Sequence, residues 1–132
     1  MQITILLDHD IEGEDRFLEA GLREVGWDKL LTVEFKRLRD FGLPDNLPDQ
    51  EVWRFVQQHQ IWLITNNRNS DDDTSLQATI DRENSLTSLP VFTISDKKKL
   101  QVSEYRKRVI YALIDIIISP EKYLGTGRLY IP

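Results

Sequence analysis

The sequence predicts an α/β domain, a three-layer sandwich in which a mostly parallel sheet of about four strands carries helices on both faces. Three observations predict it. Short apolar runs alternate with segments of helical periodicity along the 132 residues, the pattern of strand–helix–strand units. The runs at 3–7 and 61–65 are apolar almost throughout, as expected of strands buried on both faces of a parallel sheet. Each run then stops abruptly at a short polar side chain: Asp8, Asn66 and Asp96.

Taken in order, residues 3–7 form the first strand and end in Asp8-His9-Asp10. Residues 14–25 follow, with Phe17, Leu18, Leu22 and Val25 at helical spacing and Gly26 as the stop. Residues 30–38 alternate: Leu31, Val33 and Phe35 face one way, Thr32, Glu34 and Lys36 the other, which is a strand. The Pro, Gly and Asn content of 41–48 marks a loop. Asp49 is a good N-cap for a helix to about Gln58, with Val52, Phe55 and Val56 on its apolar face. Residues 61–65 are the third strand, and 66–73 a polar loop. A short helix is expected over 75–84, a fourth strand over 90–95, and the longest helix over 102–118, stopped by Ser119-Pro120. The last two turns of that helix are apolar nearly all round and are expected to be buried. The tail at 128–131 offers an added edge strand. No repeat, linker or domain boundary interrupts 1–132, so a single domain is expected.

Composition narrows the function classes. The chain has no cysteine, which excludes disulfides, thiolate zinc sites and cysteine nucleophiles. His9 and His59 have no metal-ligand spacing. The longest apolar run, 109–118, is broken by Asp115 and is far short of the roughly 20 residues a membrane span needs. No signal peptide is legible at the N-terminus, so a cytoplasmic protein without a membrane partner is expected. The net charge of −5 gives no global attraction to nucleic acid. Basic charge is nevertheless concentrated: six Lys and Arg residues against one acid between Lys97 and Arg108.

In a parallel α/β sheet, sites lie beyond the carboxyl ends of the strands. There the sequence places Asp8 and Asp10 after the first strand, Asn66, Asn67 and Asn69 after the third, and Asp96 after the fourth, with Asp49 heading the intervening helix. Carboxylates that converge repel one another and need a counter-charge, which Mg²⁺ or Mn²⁺ supplies through oxygen ligands. Such an ion can activate water and stabilise a phosphodiester transition state. Each acid also has a plain structural role open to it: Asp8 as a turn former, Asp49 as an N-cap, Asp96 as partner of the lysines after it or as cap of the next turn.

The stretches 5–8 (Ile-Leu-Leu-Asp), 49–56 (Asp-Gln-Glu-Val-Trp-Arg-Phe-Val) and 61–69 (Ile-Trp-Leu-Ile-Thr-Asn-Asn-Arg-Asn) resemble the small bacterial PIN-like domains of the PilT N-terminal nuclease fold, including those similar to the Mut7-C group. The resemblance covers about residues 3–96. It implies a metal-dependent ribonuclease of the kind found as toxins, with Asp8 as the first acid, Asp49 as the second, Asn67 and Asn69 where the family carries third-strand aspartates, and Asp96 as a further acid. Asp8, Asp49, Asn67 and Asp96 are thus the expected catalytic and metal-binding set. The departure at Asn67 and Asn69 implies a weak Mg²⁺ or Mn²⁺ site and a weak or inactive enzyme, because an amide is neutral and cannot act as a base. Asp71, Asp72 and Asp73 either compensate or are a solvated loop.

Lys97, Lys98 and Lys99 are candidate nucleic-acid contacts, with a solvated helix face as the other reading of them and of the basic run at 106–108. Trp27, Trp53 and Trp62 read as core or rim packing, and the Gly125-Thr126-Gly127 stretch lacks the third glycine of a phosphate loop. Two rivals to the nuclease stand. One is a non-catalytic module on the same scaffold that binds RNA or a protein such as an antitoxin. The other is a receiver-like signalling domain, which needs a phosphoacceptor aspartate where this chain has Asn66 and Asn67. The sequence is compatible with an oligomer and does not specify one.

Overall fold

Among the described residues five strands build one sheet, and all of them run parallel. The computed structural model describes residues 2–68 and 72–132. The strands are β1 (Gln2–Leu7), β2 (Thr32–Lys36), β3 (Trp62–Thr65), β4 (Val91–Thr93) and β5 (Arg128–Tyr130). They lie in the order β2-β1-β3-β4-β5, every neighbouring pair parallel. Between them run α1 (Asp15–Glu24), α2 (Asp49–His59), α3 (Leu76–Glu83) and α4 (Ser103–Ile118). The expected α/β class and parallel sheet are therefore present, with five strands rather than four. The tail expected to add an edge strand does so as β5.

The helices cover both faces, and the period of two along the strands explains how. Ile5 and Leu7 of β1, Trp62 and Ile64 of β3 and Phe92 of β4 join one apolar cluster with Leu18 and Leu22 of α1 and Val109, Ile110, Leu113, Ile114 and Ile117 of α4. Leu6, Leu63 and Val91 point the other way and join Val52, Trp53 and Val56 of α2 with Leu76 and Ile80 of α3. Each fully buried side chain of this kind contributes about 1.5–3 kcal/mol. Trp62 lies nearly parallel to the ring of Phe92, with centroids 5.0 Å apart. Trp53 and Trp62 are buried and Trp27 packs partly buried against the first cluster, so all three are packing residues.

The α1–α4 contact is close because Gly21 faces α4. A Cβ there would fall 2.6 Å from Ile110 Cγ1 and 2.9 Å from Arg106 Cγ. Replacing Gly21 by alanine should therefore destabilise the domain by about 1–3 kcal/mol through overpacking, against a helix-propensity gain of about 1 kcal/mol. Urea unfolding measures this, and a stabilised Gly21→Ala protein would contradict the close approach. Glu24 reinforces the contact by accepting from Ser103 and from Arg106 Nε at 2.6 Å.

Three local expectations need correction. Asp49 is the first residue of α2 rather than its cap: Pro48 occupies that position and, among the described residues, no side chain caps the helix. The end of α4 is not buried all round, because Tyr111 and Ile118 are exposed on its outer side together with Asp115. The helix expected from residue 14 begins at Asp15 and is preceded by a 3₁₀ turn, His9–Glu14. Among the described residues, no helix is long and apolar enough to cross a membrane.

Candidate functional site

The strand order singles out one place beyond the carboxyl ends of the strands. From β1 the chain goes outward to β2, then returns past β1 to β3 and proceeds to β4 and β5. The turning point lies between β1 and β3, and at such a switch point the loops leave the sheet in opposite directions and open a crevice beyond the strand ends. The residues that follow β1 and β3 stand on its two sides.

Asp8 is the first of them. Its N–H still donates to Ile64 O at 2.9 Å, so the ladder holds its backbone. One carboxylate oxygen accepts from His9 N–H at 2.9 Å and the other from Thr65 Oγ1 at 2.9 Å. Only 8% of Asp8 is exposed. Its pKa rises to about 6, mainly through loss of hydration and next through the neighbouring Asp10, with Asp49 adding a smaller push. The two hydrogen bonds resist that rise.

Asp10 closes over the end of β3. Its carboxylate accepts from Asn66 N–H at 3.2 and 3.3 Å, and Thr65 Oγ1 lies 3.5 Å from it. Burial raises its pKa, opposed by the Asn66 N–H and by the charge of Lys97. The Lys97 ammonium donates to the carbonyl oxygen of Asp10 at 2.6 Å.

Thr65, fully buried at the end of β3, ties the two sides together. While donating to Asp8 it accepts from Asn67 N–H at 2.9 Å. Asn66 turns away and donates its side-chain N–H to Ile94 O at 2.7 Å. Asn67 points to the start of α2, where its Nδ2 donates to Asp49 Oδ2 at 2.9 Å. Freed from capping, the Asp49 carboxylate faces the strand ends. From β5, Arg128 Nη1 donates to Asn67 O and to Thr93 Oγ1, each at 2.7 Å. Arg128 is partly buried, which lowers its pKa.

Of the four site residues expected from sequence, Asp8, Asp49 and Asn67 thus come together. Asp96 does something else: its Oδ1 accepts from Lys98 N–H at 3.1 Å and caps the 3₁₀ turn Lys97–Gln101. No hydrogen bond joins it to the other three among the described residues. The three lysines divide as well. Lys97 turns inward to Asp10, whereas Lys98 and Lys99 are exposed, Lys99 Nζ lying 6.0 Å from the Tyr105 ring centroid. Asn69 and Asp71 fall outside the described residues. Asp72 is a turn former, accepting from Thr74 N–H and Oγ1. The sequence placed Asp10 at the strand ends but not in the expected catalytic and metal-binding set, and it left Thr65 and Arg128 out altogether. Asp10 carried a signal, two acids one residue apart at a strand end. Arg128 carried none, because its contact to Asn67 spans 61 residues.

Comparison with protein-family models, with curated proteins and with solved structures found no match to this chain.

Proposed function

We propose that the switch-point crevice binds a single Mg²⁺ or Mn²⁺ ion weakly, and that the chain is a PIN-like relative of the metal-dependent ribonucleases with strongly reduced cleavage. The observation that carries this reading is the convergence of Asp8, Asp10 and Asp49 with the Asn67 amide at one end of the sheet. Hard divalent ions take carboxylate and amide oxygens together with water. An ion there would offset the mutual repulsion of the acids and present a water to a phosphodiester. Asn67 limits both functions, since it brings no charge and no base. Lys97 and Arg128 already supply part of the counter-charge, which further lowers the affinity for a cation.

A titration with Mn²⁺, followed by calorimetry and by the electron spin resonance of free Mn²⁺, tests the reading. One weak site is expected, lost in Asp49→Asn, with little or no cleavage of single-stranded RNA. Robust Mn²⁺-dependent cleavage by the unmodified chain would overturn the weakened-site reading. Absence of any binding would overturn the site itself.

A second reading has an observation in its favour. Every carboxylate of the crevice already has a donor from the protein: Thr65 and His9 for Asp8, Asn66 for Asp10, Asn67 for Asp49. A crevice satisfied without an ion suits a module that binds RNA or an antitoxin-like protein and does not cut, with exposed Lys98 and Lys99 as phosphate contacts. The receiver-like alternative has the strand order in its favour, since 2-1-3-4-5 is the flavodoxin-like doubly wound order. It lacks its acceptor: Thr65, Asn66 and Asn67 follow one another at the end of β3, and none is an aspartate.

A further inference from the structure

Next to the crevice, on its outer side, an imidazole and two carboxylates meet. The 3₁₀ turn His9–Glu14 begins at Asp8, whose side chain caps it by accepting from His9 N–H. In a 3₁₀ turn, residues three apart eclipse one another. His9 and Glu12 are therefore stacked on one side of the turn, with His9 Nδ1 3.5 Å from Glu12 Oε1. The buried side chain of Ile11 holds the same turn to the core. From the loop ahead of α2, Asp45 reaches the pair, so that one ligand atom from each of the three residues lies within 4.8 Å of the others. Three points so spaced have a centre no farther than about 2.8 Å from each (4.8 Å divided by √3). Zinc–nitrogen and zinc–oxygen bonds are about 2.0–2.2 Å long, so an ion at that centre requires His9 and Asp45, both exposed, to close in by about 0.6–0.8 Å. Glu12 is partly buried, its side chain 18% exposed: Oε1 meets His9 Nδ1, while Oε2 is shielded from solvent and has no hydrogen-bond partner among the described residues. A shielded carboxylate oxygen left without a donor calls for a cation or water.

We propose that His9, Glu12 and Asp45 form a second metal site, selective for a borderline transition ion of the Zn²⁺ class. The imidazole nitrogen distinguishes it from the all-oxygen crevice: Mg²⁺ prefers oxygen and water, whereas Zn²⁺ takes nitrogen and carboxylate oxygen together. Three protein ligands leave a fourth position for water, the arrangement of open zinc sites. The site does not depend on the reading of the crevice. The sequence shows the pair at His9 and Glu12 only to a reader who expects a 3₁₀ turn there, and Asp45 comes from a loop 33 residues beyond Glu12.

The test titrates the full chain with ZnCl₂ at neutral pH, by calorimetry and by long-range ¹H–¹⁵N correlation of the histidine rings. His59, on α2 and against Phe55 at 4.4 Å between ring centroids, serves as the internal reference. The expected result is a first, tighter equivalent of Zn²⁺ that gives a His9 ring nitrogen the shift of a metal-bound nitrogen while His59 keeps its own; any Zn²⁺ taken by the crevice follows as a second, weaker phase. His9→Ala and Asp45→Asn, both at exposed positions, should each fold normally by thermal melting. Each should weaken Zn²⁺ binding by more than the roughly 10–100-fold that losing an outer-shell partner costs. Asp49→Asn, which removes a crevice ligand, should lower Mn²⁺ binding and leave Zn²⁺ binding in place, so the two sites fail separately. A first equivalent of Zn²⁺ that leaves the His9 ring unshifted, one unchanged in His9→Ala, or no tighter first equivalent at all would each overturn the proposal. The last outcome would reduce the cluster to an ordinary His9–Glu12 ion pair.

Discussion

Replacing Asp8 by asparagine is expected to stabilise the metal-free protein at neutral pH and to abolish Mn²⁺ binding in the crevice. The stabilisation follows from the raised pKa of Asp8, about 6 in the folded protein against 3.8 for the free side chain. The folded state thus holds the Asp8 proton more tightly than the unfolded state does. Stability from this group is greatest at low pH, falls as pH rises from about 4 through 6, and above that carries the full cost of an ionised, buried carboxylate. A shift of about two units corresponds to about 3 kcal/mol. Asparagine removes the charge and keeps an oxygen for the His9 N–H. It presents an N–H to Thr65 instead of an acceptor, at a cost of about 1 kcal/mol. The net expectation is a gain of about 2 kcal/mol at pH 7 that shrinks towards pH 4. Urea unfolding of both proteins at several pH values measures it, with Mn²⁺ calorimetry alongside. An Asp8→Asn protein less stable than the parent at pH 7 would mean that Asp8 is held ionised by partners stronger than those described. A residue that destabilises the fold when charged and is relieved by a cation is what a binding site requires, and the opposite signs of the two effects separate this role from that of a turn former.

The parts of the fold legible in the sequence were those whose physics is local. β3 and the second half of β1, both flanked by strands on either side, are buried on both faces, and so they appear as runs apolar almost throughout. Their ends are legible because the apolar run gives way to a polar side chain, Asp8 after β1 and Asn66 after β3. β5 is three residues long, its residues are half-buried or exposed, and only its pairing with β4 makes it a strand. The role of Asp49 was misread because an acid at a helix start serves equally as cap or as first-turn residue. Pro48 decided between them, and the carboxylate was left for Asn67. Asp96 went the other way: the lysine run after it became a 3₁₀ turn, and the acid caps that turn. Arg128 and the meeting of His9 with Asp45 depend on chain reversals that no local pattern encodes.

Introducing a carboxylate by Asn67→Asp is expected to give the largest gain in metal affinity, a tightening of Mn²⁺ binding by about two decades. The Asn67 amide now donates to Asp49 Oδ2 at 2.9 Å. Aspartate in the same rotamer would set two carboxylates against each other. At about 4 Å and an effective dielectric near 20, their repulsion is about 4 kcal/mol. Without metal, that repulsion either drives a proton onto the pair or forces the loop after β3 to move. The apoprotein should therefore lose stability at neutral pH and recover it on acidification. A divalent ion between the two oxygens reverses the sign of the interaction. Capturing even about 2.8 kcal/mol of it as binding free energy gives the expected 100-fold. Asn69 lies outside the described residues, so the single substitution is the sharper probe, with Asn67→Asp combined with Asn69→Asp as its extension. Cleavage of single-stranded RNA should rise in parallel if the crevice is a weakened nuclease site, and Asp8→Asn placed in the same chain should remove the gain. A tighter Mn²⁺ site that still does not cut RNA would favour the non-catalytic module. No change in Mn²⁺ affinity would mean that Asn67 does not face an ion, and that its bond to Asp49 serves only to anchor the loop after β3 to the start of α2.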